Sequence, residues 1–359
     1  MELGRYYTGP SGSSMDPSRT SVNLSGDVAV SNRGFGSSPD ASFTKVIGLL
    51  SNCPDVDGDG TVRTSTGAED ILPWGEDECV HWNHPATIDG GSTPFGPRAI
   101  AWDPGSITDD GVVVRAPSVW VGYKRDDVTV FFERLDTDTG ERLASTEVVD
   151  TDTASGFAHH FGPYGGASDA NGNFWAMGVR GQLVVIDRET TTATIYDRPN
   201  TVGYGFALDE NGEPWIGTTG GSLYHLDPAS GTYTHYSPPT HAGYSRGLAI
   251  DRDGIAWQAT HRSGGAAPGE PCGVLKFDTH EREFVGTSWV PIEDCAEPVG
   301  VSIDFDDYVW VVDRIQELAS KIDPDTHEVV LKTGNLVSPY TYSDMTGAGI
   351  GLVVNPPVE

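Results

Sequence analysis

Four times along this chain an aspartate stands six residues before a tryptophan: Asp169 and Trp175, Asp209 and Trp215, Asp251 and Trp257, Asp304 and Trp310. A spacing held that often is an internal repeat, and a repeat constrains the fold more than any single motif. A fifth copy begins at Ala99 and holds Asp103 and Trp120 with an insertion between them. A sixth, TSVNLSGDVAVSNRG, has Asn23 for the Asp and Ala29 for the Trp. Each unit reads as four short alternating strands: an apolar strand ending in Asp, a Gly-containing turn, a strand opening with Trp, a strand ending in a second Asp, and a closing strand such as TYTHYSPP. The second aspartates are Asp136, Asp187, Asp227, Asp278 and Asp323. Roughly 40 to 55 residues separate successive tryptophans, which leaves no room for helices, so each unit is a β-propeller blade.

The expected fold is therefore all-β, a seven-bladed propeller spanning residues 1–359 as one domain. Its seventh blade is split, YTYSDMTGAGIGLVV near the C-terminus pairing with LGRYYTG at the N-terminus to close the ring and remove exposed edges. Composition agrees. Forty-five Gly, 24 Pro and only 22 Lys plus Arg exclude a coiled coil or helical bundle, and nine Trp, 13 Tyr and 12 Phe are too many for a disordered acidic chain. The formal charge of −30 makes nucleic acid a poor partner and disfavours anionic membranes. No run of 18 apolar residues could span a bilayer, and MELGRYYTGP does not read as a signal peptide, which implies a mature or trimmed domain, expected to act as a monomer.

The Asp-x-x-Gly-x-x-Trp pattern and its Pro-rich neighbours resemble the virginiamycin B (streptogramin) lyase family and the broader NHL-like and gluconolactonase-like propellers. Over nearly the whole chain the resemblance rests on blade punctuation. The Asp is expected to cap a turn, the Gly to take a positive φ, and the Trp to fill the space between blades. The resemblance also implies a possible lyase site, in which Asp313, three residues after Trp310, is the counterpart of the acidic residue in the family's Trp-Phe-Thr-Glu motif. The equivalent positions elsewhere are Tyr123, Gly178, Thr218 and Thr260, and Phe206 and Leu248 stand where the family has an inner-strand histidine. Those departures argue against streptogramin lyase activity.

Between the third and fourth strands of the first blade lies an insertion, residues 52–78, that begins CPDVDGDGTVRTSTGAED. Asp55, Asp57 and Asp59 at alternate positions, then Gly60, reproduce the start of a Ca²⁺ loop in which Thr61 supplies a backbone carbonyl. Thr66 occupies the place of the usual bidentate Glu, so further ligands must come from elsewhere, with Glu69, Asp70, Glu76 and Asp77 as candidates. A structural Ca²⁺ is the expected cofactor. Cys53 with Cys79 and Cys272 with Cys295 are expected as two disulfides, which places the protein outside the cytoplasm.

Function is sought on the face carrying the loops between blades and those joining second and third strands. Eight of the 17 arginines lie there: Arg19, Arg33, Arg98, Arg125, Arg180, Arg246, Arg262 and Arg314. With Tyr164, Tyr204, Tyr244 and Tyr342 as aromatic walls, they point to a site for a polar or anionic ligand, a glycan or peptide. Two other readings stay open. One is a lyase or hydrolase with His261 or His241 as base and Asp313 as orienting acid; the other is a platform for protein interactions. His280 and His327 are expected at the opposite turns, solvated.

Overall fold

The computed structural model describes residues 4–11, 15–34, 41–86, 97–107, 112–126, 128–150, 161–197, 199, 201–239, 243–261 and 272–340. The chain divides into two compact units, 1–163 and 164–359. The first holds two antiparallel blades. Blade 1 is β1 (Pro17–Val22), β2 (Val28–Asn32), β3 (Ser42–Val46) and β4 (Val80–Pro85); blade 2 is β5 (Ala99–Asp103), β8 (Ser118–Lys124), β9 (Thr129–Asp136) and β10 (Arg142–Val149), with a ribbon of β6 (Ser106–Ile107) and β7 (Val113–Arg115) between β5 and β8.

The second unit holds four more blades. Blade 3 is β11 (Pro163–Ser168), β12 (Phe174–Gly178), β13 (Leu183–Ile186) and β14 (Ala193–Tyr196); blade 4 is β15 (Gly203–Leu208), β16 (Pro214–Thr218), β17 (Leu223–Asp227) and β18 (Thr232–Tyr236). Blade 5 comprises β19 (Tyr244–Ile250), β20 (Ile255–His261), β21 (Cys272–Asp278) and β22 (Glu283–Pro291), and blade 6 β23 (Pro298–Ile303), β24 (Val309–Asp313), β25 (Leu318–Ile322) and β26 (Val329–Thr333). All six repeats read in the sequence are thus four-stranded blades of an all-β propeller.

The blade count is six among the described residues, not the expected seven. Residues 4–9 form no strand. The Thr8 carbonyl accepts from the side chains of Asn32 (2.5 Å) and Thr44, so it is not available to a sheet ladder, and Tyr6 packs on Ile47 beside the Cys53–Cys79 disulfide. The other half of the expected closing blade, from Thr341 onward, lies outside the described residues.

The Asp–Trp spacing has a clear physical cause. In each of the four repeats one carboxylate oxygen accepts the indole N–H at 2.6–3.2 Å, at Asp169, Asp209, Asp251 and Asp304. The other oxygen accepts backbone amides two and four residues on, as Asp209 does from Asn211 and Glu213, which folds the turn back. The indole so held fills the space toward the next blade: Trp215 packs with Leu248, Ile250 and Phe277, and Trp257 with Val301, Val309 and Ile322. Opposite the Trp on the third strand stands a cation in three blades, Arg134 against Trp120, Lys276 against Trp257 and Lys321 against Trp310, each 5.6–5.9 Å from the ring centroid.

Candidate functional site

The first strands of blades 1, 4, 5 and 6 are bulged near their starts, with register breaks between Pro17 and Arg19, Gly203 and Gly205, Ser245 and Leu248, and Pro298 and Gly300. A bulge re-aims the extra side chain. In blade 4 that residue is Tyr204 and in blade 5 it is Arg246 with Gly247. Glycine is required beside them because neighbouring first strands approach closely: a Cβ on Gly205 would stand 2.5 Å from the Arg246 carbonyl oxygen, and one on Gly247 2.7 Å from that of Val299.

Within the second unit the bulges gather an arginine–tyrosine cluster. Arg246 lies between two rings, its guanidinium carbon 5.7 Å from the Tyr204 centroid and 5.0 Å from that of Tyr244. Its Nη2 donates to Glu297 Oε1 at 2.5 Å, while Arg314 Nη2 donates to Glu297 Oε2 at 2.6 Å. Glu297 is buried, and its one carboxylate serves both guanidiniums. The Tyr164 hydroxyl donates to that of Tyr204 (3.3 Å), which lies 3.4 Å from the Tyr340 hydroxyl, and Arg314 sits over the Tyr340 ring at 5.4 Å. Arg246 Nε and Nη1 and Arg314 Nε are buried with no hydrogen-bond partner among the described residues.

The expected site residues distribute as follows. Tyr164, Tyr204, Tyr244, Arg246 and Arg314 belong to this cluster. Arg180 is half-buried in the turn after β12. In the first unit Arg19 is fully buried on β1, Arg33 pairs with Asp16 at 2.6 Å, and Arg98 lies 4.4 Å over the Phe161 ring. His241, Arg262 and Tyr342 lie outside the described residues. His261, buried at the end of β20, faces the Tyr244 ring at 5.6 Å. Asp313 is buried and committed to the backbone: Oδ2 accepts from the amides of Ala296 (2.6 Å) and Glu297 (3.0 Å), Oδ1 from those of Ile315 (3.0 Å) and Gln316 (2.9 Å). It thereby fixes the Ala296–Glu297 backbone from which the Glu297 side chain reaches both arginines.

Two members escaped the sequence reading. Glu297 lies in the AEPVGVS loop, where only basic and aromatic residues were sought, and Tyr340 follows the last described strand. The glycines of VGYGFA, AGYSRGL and AEPVGVS, two or three residues into each first strand, were the available signal of the bulges. Nor are the far-turn histidines merely solvated. His280 Nε2 lies 3.0 Å from Glu210, and His327 Nε2 lies 2.6 Å from Lys276 Nζ; burial pushes the pKa values of both His327 and Lys276 down.

In the blade 1 insertion, carboxylate oxygens of Asp55, Asp57 and Asp59 lie within 4.8 Å of one another, all three residues exposed. The loop is wound by its own carboxylates. Asp55 accepts from the amides of Gly58 and Gly60, Asp57 from that of Asp59, and Asp59 from that of Thr61, with φ +90° at Gly60. The second oxygens of Asp57 and Asp59 take no hydrogen bond among the described residues, and hard oxygen donors of this kind suit Ca²⁺. Glu69 and Asp70 are not in this group; Asp70 accepts from Thr66 Oγ1. Asp77 is spent on Thr64, Ser65 and Cys79. The organiser is Glu78, which accepts amides from Val56 (2.7 Å), Asp57 (3.3 Å) and Arg63 (2.6 Å) and is held below the usual carboxylate range, chiefly by the Arg63 amide. Both disulfides form as expected, Cys53–Cys79 at the base of this insertion and Cys272–Cys295 between β21 and the loop preceding β23.

Six four-stranded blades among the described residues, four of them with the Asp–Trp clamp, define a β-propeller, and the bulged first strands of blades 4, 5 and 6 carry an arginine–tyrosine cluster. In fold it is virginiamycin B lyase-like. The structure of virginiamycin B lyase from Staphylococcus aureus matches with a TM-score of 0.56 at 13% identity, over 93% of this chain and 90% of that one. Hydrazine synthase from Kuenenia stuttgartiensis matches with a TM-score of 0.60 at 13% identity, over 92% and 90%. The extracellular domain of a hybrid two-component system from B. thetaiotaomicron matches at 0.53 and 11% identity, over 95% of this chain and 37% of that one. No protein-family model matches the sequence, and no curated protein matches it.

Proposed function

We propose that the protein is an extracytoplasmic propeller that binds a polar or anionic ligand, a glycan or peptide, at the Arg246–Tyr204–Tyr244 cluster. The observation that carries this reading is Arg246 itself: a bulge aims it between two aromatic rings, one nitrogen is anchored on Glu297, and Nε and Nη1 have no acceptor among the described residues. A polar or anionic ligand supplies acceptors to these donors, and tyrosine rings stack on sugar or peptide faces. Binding is favoured over catalysis because Asp313, needed as the orienting acid, already serves four backbone amides. Ca²⁺ on Asp55, Asp57, Asp59 and the Thr61 carbonyl stabilises the first unit in this reading, and two disulfides support a place outside the reducing cytoplasm.

The test is calorimetric titration with trigalacturonate and with tetra-aspartate, neutral maltotriose serving as control. Binding of an acidic probe that Arg246→Gln weakens about tenfold or more, with the melting curve little changed, supports the reading. Binding of neither acidic probe, or an affinity indifferent to Arg246→Gln, overturns it.

A further inference from the structure

On blade 4 the Asp–Trp clamp has an unusual third partner. In blade 6 the Asp304 carboxylate that holds Trp310 also receives Lys321 Nζ at 2.7 Å, so a built-in ammonium balances it. In blade 5 Lys276 stands at the same register position, opposite Trp257 and over its ring. In blade 4 that position is His225, opposite Trp215, and an imidazole is not a fixed cation. The residue four beyond the clamping Asp differs as well: Ile255 in blade 5, Tyr308 in blade 6, but Glu213 in blade 4. Where blade 6 pairs one carboxylate with one lysine, blade 4 sets two carboxylates around a histidine.

The geometry brings the three together. One ligand atom from each of Asp209, Glu213 and His225 lies within 4.8 Å of the other two, and His225 Nε2 lies 2.7 Å from Glu213 Oε2. His225 and Asp209 are buried, while Glu213 is part-exposed. His225 and Glu213 line a cavity of about 350 Å³ with Asp227, Ser230, Thr232, Thr234 and Arg282, room enough for water to complete a coordination shell.

We infer that Asp209, Glu213 and His225 form a transition-metal site in which a divalent ion such as Zn²⁺ stands where the lysine ammonium stands in blade 6. One imidazole nitrogen and two carboxylate oxygens with an open fourth position are a donor set this ion accepts at about 2.0–2.2 Å per ligand. The His225–Glu213 hydrogen bond opens by less than an ångström to admit it, since two ligands of a tetrahedral ion sit about 3.4 Å apart. The loop aspartates of blade 1 offer only oxygens, so imidazole distinguishes the two sites.

The experiment titrates the chelator-stripped full chain with Co²⁺ and Zn²⁺ at pH 7.5, reading the visible d–d absorption of Co²⁺ and calorimetric stoichiometry. Wild type should bind one Zn²⁺ that Asp57→Asn with Asp59→Asn leaves in place. Glu213→Gln and His225→Ala should lose it, and His225→Lys should lose it while retaining the wild-type melting temperature, because the lysine reproduces the arrangement of blade 6. Absence of Zn²⁺ binding by wild type, as expected if His225 and Glu213 form an ion pair that excludes metal, overturns the inference. Unchanged stoichiometry in both His225→Lys and Glu213→Gln overturns it equally, assigning the ion to another site.

Discussion

Trp257 donates its indole N–H to Asp251 Oδ2 at 2.6 Å, and Asp251 Oδ1 accepts the amides of Asp253 and Ile255. One carboxylate therefore fixes both a turn and the ring that packs against the next blade. Burial pushes its pKa up, since the charged form has lost water. Asp251→Ala strands the buried indole donor and unlocks the turn, and should lower the unfolding free energy by about 1–3 kcal/mol in urea titration. Asp251→Asn keeps an acceptor and should cost less. Equal losses from the two variants would contradict this account.

Asp313 serves two pairs of backbone amides, and asparagine would turn an N–H₂ group toward one pair. Asp313→Asn should therefore cost about 1–3 kcal/mol of stability and weaken acidic-probe binding indirectly, by releasing the Ala296–Glu297 backbone. A variant with wild-type stability would remove the structural assignment and reopen a catalytic one.

Acid should destabilise the fold. The Asp136 and Asp187 carboxyls are held low chiefly by the amides of Thr139 and Thr190, Asp323 by that of Thr326, and Asp227 chiefly by the Ser230 hydroxyl. Groups more acidic folded than unfolded contribute stability that is present above the unfolded value, about 3.9 for Asp, and lost as pH falls through the lowered folded values. Asp251 and Asp307, raised chiefly by burial, oppose the trend, being relieved of charge in acid. The lowered groups outnumber them, so the urea midpoint should decline below about pH 4. A midpoint rising over that range would refute the balance.

Chelation should lower the melting temperature of the wild type but not of Asp57→Asn with Asp59→Asn. An ion bound only by the folded chain adds about 2.7 kcal/mol at a hundredfold excess over its dissociation constant. Differential scanning calorimetry with and without EGTA reads this directly, and identical curves for wild type would remove Ca²⁺ from the loop. Glu78→Gln, which weakens the acceptor of the Val56, Asp57 and Arg63 amides, should reduce Ca²⁺ affinity without contacting the ion.

The blades were legible because their determinants are local. An Asp that bonds amides two and four residues on and an indole six residues on needs no distant partner, so its spacing survives in the sequence as a repeat. The same holds for the Asp55–Asp59 loop and for the two close cysteine pairs. The ring closure was not legible, since it rested on resemblance between LGRYYTG and an outer strand. That segment is instead tied down by Asn32 and Thr44, side chains more than 20 residues away.

The chain by itself determined the blade, its Asp–Trp clamp, the disulfide pairs and the carboxylate loop, all arrangements closed within one blade or between neighbouring elements. Tertiary structure alone decided which functional groups meet. Arg246 reaches Glu297 across 51 residues because a bulge on β19 and the amides held by Asp313 aim both side chains at one point. His225 faces Asp209 and Glu213 because β16 and β17 pair in one register. A register or a bulge is set by the packing of whole strands, and a residue's type carries no record of which neighbour that packing will bring.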